Sequence, residues 1–239
     1  MGDNVAGVRV VLAIASVVLF GAVAVAASGA GARNARVPAP RHTAIPAAVA
    51  AAPTDAARGS RVRADARLAG RFSVPVAGAT PPDDPDLLPG APRDYRAGIH
   101  EGIDFPAPRG TAVLAAAPGT IVRADTSFLD WTREQQEIAL YEAFGLGYTP
   151  SATLDRVRGR QVWIDHGDGV VTRYAHLEAV ADIALGQRVT AGAVIGEVGS
   201  SGYPQGGPHL HFEVRVGDDY VGDGLDGDAL RLLVSRLFL

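Results

Sequence analysis

Four short segments hold the residues whose types and spacing could do chemistry. Gly98-Ile99-His100-Glu101-Gly102-Ile103-Asp104-Phe105, Tyr174-Ala175-His176-Leu177 and Gly207-Pro208-His209-Leu210-His211-Phe212-Glu213 carry four of the six histidines in the chain. The glycine-rich run Gly196-Glu197-Val198-Gly199-Ser200-Ser201-Gly202 leads into the third. In a strand, residues two apart point to the same face, so His209 and His211 can reach one site. The four-residue step from His100 to Asp104 keeps both on one face, whether that segment is extended or turns once as a helix. Two imidazoles and a carboxylate around one zinc ion leave a fourth position for water, the composition of a catalytic site, since a structural zinc closes all four positions. An H-x-H pair or an H-x-x-x-D step alone occurs by chance, and the signal lies in their conjunction within one domain.

The composition narrows the chemistry further. Among 239 residues there is no cysteine, which excludes a disulfide framework, a thiol nucleophile, a zinc finger and an iron–sulfur centre. Any metal must be held by His, Asp, Glu or backbone oxygen. All 22 basic residues are Arg, so Schiff-base chemistry and a P-loop lysine are excluded as well. Residues 1–67 hold eight Arg against Asp3, Asp55 and Asp65, a charge of +5, which leaves −9 of the total −4 on the rest. A domain that acidic is a poor nucleic-acid binder.

Three kinds of element must position these residues. Val10 to Ala27 is an 18-residue run without charge or proline, long enough to span most of a bilayer core as a helix, with a cleaved signal peptide as the alternative. Residues 29–68, rich in Ala, Pro, Gly and Arg, read as a flexible linker in which His42 is incidental. From Arg71 onward, short runs rich in Val, Ile, Thr and aromatics alternate with Gly and Pro: 111–116, 120–124, 160–165, 169–175, 187–190, 194–198 and 209–216. This predicts a mainly β domain with an antiparallel sheet. His166-Gly167-Asp168-Gly169 supplies a hairpin turn, so His166 has a structural explanation and is assigned no chemistry.

One stretch breaks the β rhythm. In residues 126–158, Trp131, Gln135, Ile138, Tyr141 and Phe144 recur at helical spacing, and Thr132 with Gln135 fits a capping box. This predicts a short helical insertion whose aromatic stripe packs on the sheet, or alternatively walls the active-site cleft. A short amphipathic helix is predicted at the C-terminus, with Asp226 or Asp228 near its start.

The set HEGID, YAHL and GPHLHFE, in that order and with VGSSG before the last, resembles the lysostaphin-type or LytM-like zinc metallo-endopeptidases, which cut peptide bonds in bacterial peptidoglycan. The resemblance runs from about Arg71 to Val216. It implies one Zn2+ per chain held by His100, Asp104 and His211, with His176 and His209 as the catalytic pair. It also implies an antiparallel sheet in a sandwich-like groove, a metallopeptidase domain over 69–239 with its motif core at 96–216, and a peptidoglycan peptide as substrate. A dication there would lower the pKa of water toward ~7 and polarise the scissile carbonyl. Glu101 and Glu213 are alternative bases by chemistry; in a strand Glu101 faces away from His100, while Glu213 shares the face of His211 as an outer partner. The 126–158 insertion and Gly206-Gly207, where Ser/Thr-Gly is usual, depart from the family pattern.

Residues 1–28 are expected to anchor the chain to the membrane and hold the domain extracytoplasmically, or to be cleaved so that it is secreted. Two other readings compete with the enzyme. A non-catalytic LytM-like wall binder or amidase activator would be expected to lack metal ligands, and a cupin-type barrel would leave His100 and Asp104 without a role.

Overall fold

A computed structural model of the chain describes Asp65 and residues 67–239. Among them are ten strands: β1 (Ile103–Pro106), β2 (Ala112–Leu114), β3 (Gly119–Ala124), β4 (Val162–Asp165), β5 (Val170–Ala175), β6 (Leu177–Val180), β7 (Arg188–Val189), β8 (Val194–Val198), β9 (His209–Val216) and β10 (Asp219–Tyr220). Three α-helices accompany them: α1 (Arg133–Leu146), α2 (Ser151–Arg158) and α3 (Gly227–Leu237). Seven strands form one sheet in the order β1-β9-β5-β4-β3-β7 with β10 also on β9, and β2-β8-β6 form a second. All pairings between these strands are antiparallel, as the sequence predicts.

The seven runs expected from the sequence fall on β2, β3, β4, β5, β7, β8 and β9, while β1, β6 and β10 were not foreseen. β1 is four residues long and ends in proline, and β10 has only two residues. β6 follows β5 with His176 alone between them, so the two read as one strand. They are separate because His176 has φ of 60°, a left-handed conformation that turns the chain from the large sheet into the small one.

Alternation sets the core. In β4, Val162 and Ile164 are buried, and in β5 Val170, Thr172 and Tyr174 are. β9 is covered on both faces. Leu210, Phe212 and Val214 point one way, with the Phe212 ring contacting Phe72, Phe105, Tyr174 and Phe238. His211 and Glu213 occupy the alternate positions and are equally buried. One face of β9 thus belongs to the hydrophobic core and the other to a polar centre. The C-terminal helix forms as predicted, with Asp226 at its N-cap and Asp228 in its first turn, and it buries Leu230, Val234 and Leu237. Leu68, in the stretch read as linker, is buried in the same core.

Val10 to Ala27 and His42 lie outside the described residues. Among the described residues no helix is long and apolar enough to cross a membrane.

The His166 turn does more than reverse the chain. Its Nδ1 lies 2.8 Å from the Pro118 carbonyl and must carry the proton there, leaving Nε2, 2.8 Å from Thr172 Oγ1, as an acceptor. Burial lowers the pKa of His166 below its usual value, with Arg71 adding to the effect. A histidine depressed in the folded state binds its proton more readily when unfolded, so stability is full above about pH 6.5 and falls as pH drops through that value toward the folded pKa. Urea midpoints at pH 7.5 and 5 should therefore differ more for the wild type than for His166→Gln. Equal acid sensitivity in the two proteins would refute this role.

Candidate metal centre

β1 and β9 bring the ligands together. Their register sets Asp104 opposite His211, and β5 sets Ala175 opposite His211 from the other side. His176 directly follows Ala175. Gly102 lets the loop before β1 approach, since a Cβ there would stand 2.6 Å from the Phe212 carbonyl oxygen and 2.8 Å from His211 Cε1. His100 arrives from that loop, its backbone N–H donating to Ala91 O at 2.8 Å.

His100 Nε2, Asp104 Oδ1 and His211 Nδ1 form a triangle with 2.9 Å edges. All three residues are buried, and they make up a candidate metal-binding group. Outer partners decide which ring nitrogens face inward. His100 Nδ1 donates to Leu88 O at 2.9 Å, and His211 Nε2 donates to Glu213 Oε1 at 3.0 Å. The neutral rings therefore aim their lone pairs at the Asp104 oxygen. Arg93 Nη2 takes the other Asp104 oxygen at 3.0 Å. Three electron-rich atoms this close are stabilised by positive charge between them, supplied by a proton or by a bound cation.

The titration behaviour agrees. Burial disfavours a charged Asp104, but His100 and His211 outweigh it and hold the carboxylate well below its usual range. Burial likewise disfavours a charged His211, and the carboxylates of Asp104 and Glu213 outweigh it and raise its pKa. Burial lowers His100. The N/N/O donor set suits zinc, which accepts imidazole and carboxylate ligands.

The other two histidines flank this triangle. His176 Nδ1 donates to Ser201 O, and His209 Nδ1 donates to Gly207 O, both at 2.9 Å. Each ring therefore presents Nε2 as the lone-pair nitrogen, and His209 Nε2 lies 3.8 Å from Asp104 Oδ1. The His176 centroid is 4.7 Å from that of His209 and 5.8 Å from that of His211. Burial, with His209 and His211 beside it, holds the His176 pKa well below its usual value. All five residues expected from the sequence thus converge in one place, and His166 does not join them.

Three partners were not expected. The Ser201 carbonyl orients His176, Arg93 clamps Asp104, and Arg158 at the end of α2 donates through Nε to Glu213 Oε1 at 2.6 Å. Nothing in the sequence distinguishes these two arginines from the other twenty. Glu213, fully buried, has Arg173 at 3.5 Å and Arg215 at 3.4 Å, and it matches the outer-partner role expected of it. Glu101 is tied to Arg158 and Arg215 at 2.6 and 2.8 Å, which argues against its being a base. Glu213→Gln would leave these arginines short of a buried countercharge, and we expect a loss of about 3–5 kcal/mol in denaturant unfolding. Zinc affinity should fall about 10- to 100-fold through the loosened His211. Affinity and stability equal to the wild type would sink this assignment.

The insertion contains two helices. Thr132 and Gln135 make the expected capping box on α1. The expected packing stripe is corrected: Ile138, Tyr141 and Phe144 are 54, 80 and 68% exposed, while α1 buries Gln136 and Ala143. Trp131 is buried before the helix begins, and its Nε1, like Gln136 Nε2, donates to Gly202 O at 2.8 Å. The insertion is thus held by polar bonds to the loop before β9. The alternative, a cleft wall, is met by α2, whose Leu154, Val157 and Arg158 line a cavity of about 490 Å³ shared with His100, Asp104, His176, His209 and His211.

Residues 142–222 match the profile of peptidase family M23, a stretch that includes His176, His209 and His211. Over that stretch the chain carries a peptidase family M23 domain. His100 and Asp104 precede the matched stretch, and the fold brings them to it. Over 118 residues, 49% of its length, the chain is 38% identical to the DD-carboxypeptidase/endopeptidase Mpg of Neisseria meningitidis, covering 20% of that protein. Over 125 residues, 52% of the chain, it is 33% identical to the peptidoglycan DD-endopeptidase ShyA of Vibrio cholerae, covering 22% of it. The chain thus spans about a fifth of the length of these relatives. Among solved structures, the catalytic domain of lysostaphin from Staphylococcus simulans is 30% identical, with 55% of this chain and 77% of that one covered and a TM-score of 0.38.

Proposed function

We propose that the M23 domain is a zinc-dependent endopeptidase that hydrolyses peptide bonds in bacterial peptidoglycan. The observation that carries the reading is the inward-facing triangle of His100, Asp104 and His211 with two further imidazoles beside it. When bound there, zinc supplies Lewis acidity that lowers the pKa of water and polarises a carbonyl oxygen. His100, Asp104 and His211 would hold the ion. His176, kept neutral by burial, offers Nε2 to take a proton from the attacking water, and its Nδ1–H stays fixed on Ser201 O. His209 Nε2 stands beside it to steady charge on the substrate oxygen or return a proton to the leaving amine. Arg93 and Glu213 keep Asp104 and His211 oriented through the cycle.

The activities for which Mpg and ShyA are named support a wall-peptide substrate, and the open cavity along α2 suits a polymeric one. The complete donor set favours an enzyme over a non-catalytic wall binder. We further propose that residues 1–28 anchor the chain in the membrane, that the stretch from 29 to about 64 forms a tether, and that the domain after it, which includes the core residue Leu68, works on the extracytoplasmic side. Incubating the zinc-loaded protein with purified peptidoglycan and weighing the soluble fragments by mass spectrometry tests the activity. New amino and carboxyl ends within stem peptides or cross-links are expected, and intact muropeptides despite stoichiometric zinc would refute it.

A further inference from the structure

The site cavity is lined by three arginines, and two of them are neutralised. Arg93 pairs with Asp104, and Arg158 pairs with Glu101 and Glu213. Arg96 is different. It is 6% exposed, and among the described residues its guanidinium meets only neutral oxygens: Thr149 Oγ1 at 3.3 Å through Nη1 and Ile99 O at 2.8 Å through Nη2. Its Nε–H is buried and has no hydrogen-bond partner. Asp86 and Asp94 also line the cavity, but both are exposed and neither forms an ion pair with Arg96.

A buried guanidinium without a countercharge is costly, and two features show that its place is built. A Cβ at Gly98 would stand 2.2 Å from Arg96 Nη1, so glycine makes room for the folded-back side chain. Thr149, which positions Nη1, lies between α1 and α2 and itself bonds to Ala97 O, tying the insertion to the arginine's own loop. The guanidinium also lies over the Tyr95 ring, which stacks on Tyr203 at 4.1 Å. The cavity thus combines an uncompensated cation, an aromatic pair and the apolar surface of Leu154 and Val157.

We propose that Arg96 is a specificity-determining residue that binds a carboxylate of the peptide substrate, so that the groove selects acidic peptides. The inference rests on the peptidase reading and deepens it, because it names the chemistry of the substrate beside the scissile bond. A carboxylate presents two acceptor oxygens to a planar guanidinium and supplies the missing charge. It could come from the free C-terminus of the peptide or from an acidic side chain.

The test uses the full chain as wild type, Arg96→Gln and Arg96→Lys, with three peptides of one wall-type sequence. The first has a free C-terminal carboxylate, the second a C-terminal amide and one side-chain carboxylate, and the third no carboxylate. Calorimetric binding to the metal-free protein is measured beside kcat/KM of the zinc-loaded protein. Wild type should prefer one carboxylate peptide over the neutral one by about 10- to 100-fold in both readouts, the range of a charge-assisted hydrogen bond. The peptide that carries the preference identifies the source of the carboxylate. In Arg96→Gln the preference should collapse to within about threefold, and Arg96→Lys, which keeps the charge and guards against a folding defect, should retain part of it. No preference in the wild type, or the same preference in Arg96→Gln, overturns the proposal. Cleavage of none of the peptides overturns the peptidase reading instead, and the binding arm still decides the role of Arg96.

Discussion

Asp104→Asn should leave a folded protein that no longer retains zinc after dialysis, with turnover down by about 10³-fold or more. The substitution keeps the shape of the side chain and removes its charge. Its amide can turn its NH2 toward His100 Nε2 and His211 Nδ1, each 2.9 Å from the Asp104 oxygen, while its carbonyl accepts from Arg93. The two ring lone pairs would then be satisfied by N–H donors, so stability should change little while the anionic ligand is lost. Elemental zinc per chain and a urea melt are the paired measurements. Stoichiometric zinc retained by the variant would show that the triangle is not the metal centre.

The second large effect is expected at His176. His176→Asn should bind zinc at full stoichiometry and lower kcat by about 10²- to 10⁴-fold, the range for losing a positioned proton acceptor. Asparagine is the better probe because the residue sits at φ of 60°, which asparagine tolerates and alanine enters at a cost of roughly 1–2 kcal/mol. No donor atom of the triangle belongs to His176, so metal content separates loss of chemistry from loss of the site. Unchanged turnover would remove His176 from the catalytic pair; lost zinc would make it a ligand.

The left-handed conformation of His176 ties fold to function. It is one of two non-glycine residues with positive φ among those described, the other being Asp168 in the hairpin turn. Strain persists where the surroundings over-determine it. Here the His176 N–H donates to Arg158 O at 2.8 Å, the Leu177 N–H to Arg160 O at 3.1 Å, and the ring to Ser201 O. The end of α2 and the loop before β9 therefore fix this imidazole from two sides. The insertion, expected to pack on the sheet or to wall the cleft, also supports both His176 and, through Arg158 and Glu213, His211.

Much of this protein could be read without its fold. Period-two alternation marked seven strands because each must bury one face, and the absence of cysteine confined any metal to imidazole and carboxylate. H-x-H spacing placed His209 and His211 on one face for the same geometric reason, and Thr132 with Gln135 announced a helix start through bonds that span only three residues. These signals are local, so the sequence by itself determined the β class, seven of the ten described strands and the spacing of the candidate ligands, and the motif resemblance added the full set of five residues. Tertiary structure alone decided which ring nitrogens face the metal, because Leu88, Ser201, Gly207 and Glu213 are chosen by folding and backbone carbonyls carry no signature in a sequence. It also decided that Ile138, Tyr141 and Phe144 face solvent: helical spacing shows that apolar residues share a face but not whether anything packs against it. The state of Arg96, which among the described residues is the buried arginine without an ion pair, has the same origin, since whether a charge is paired depends on neighbours brought from distant parts of the chain.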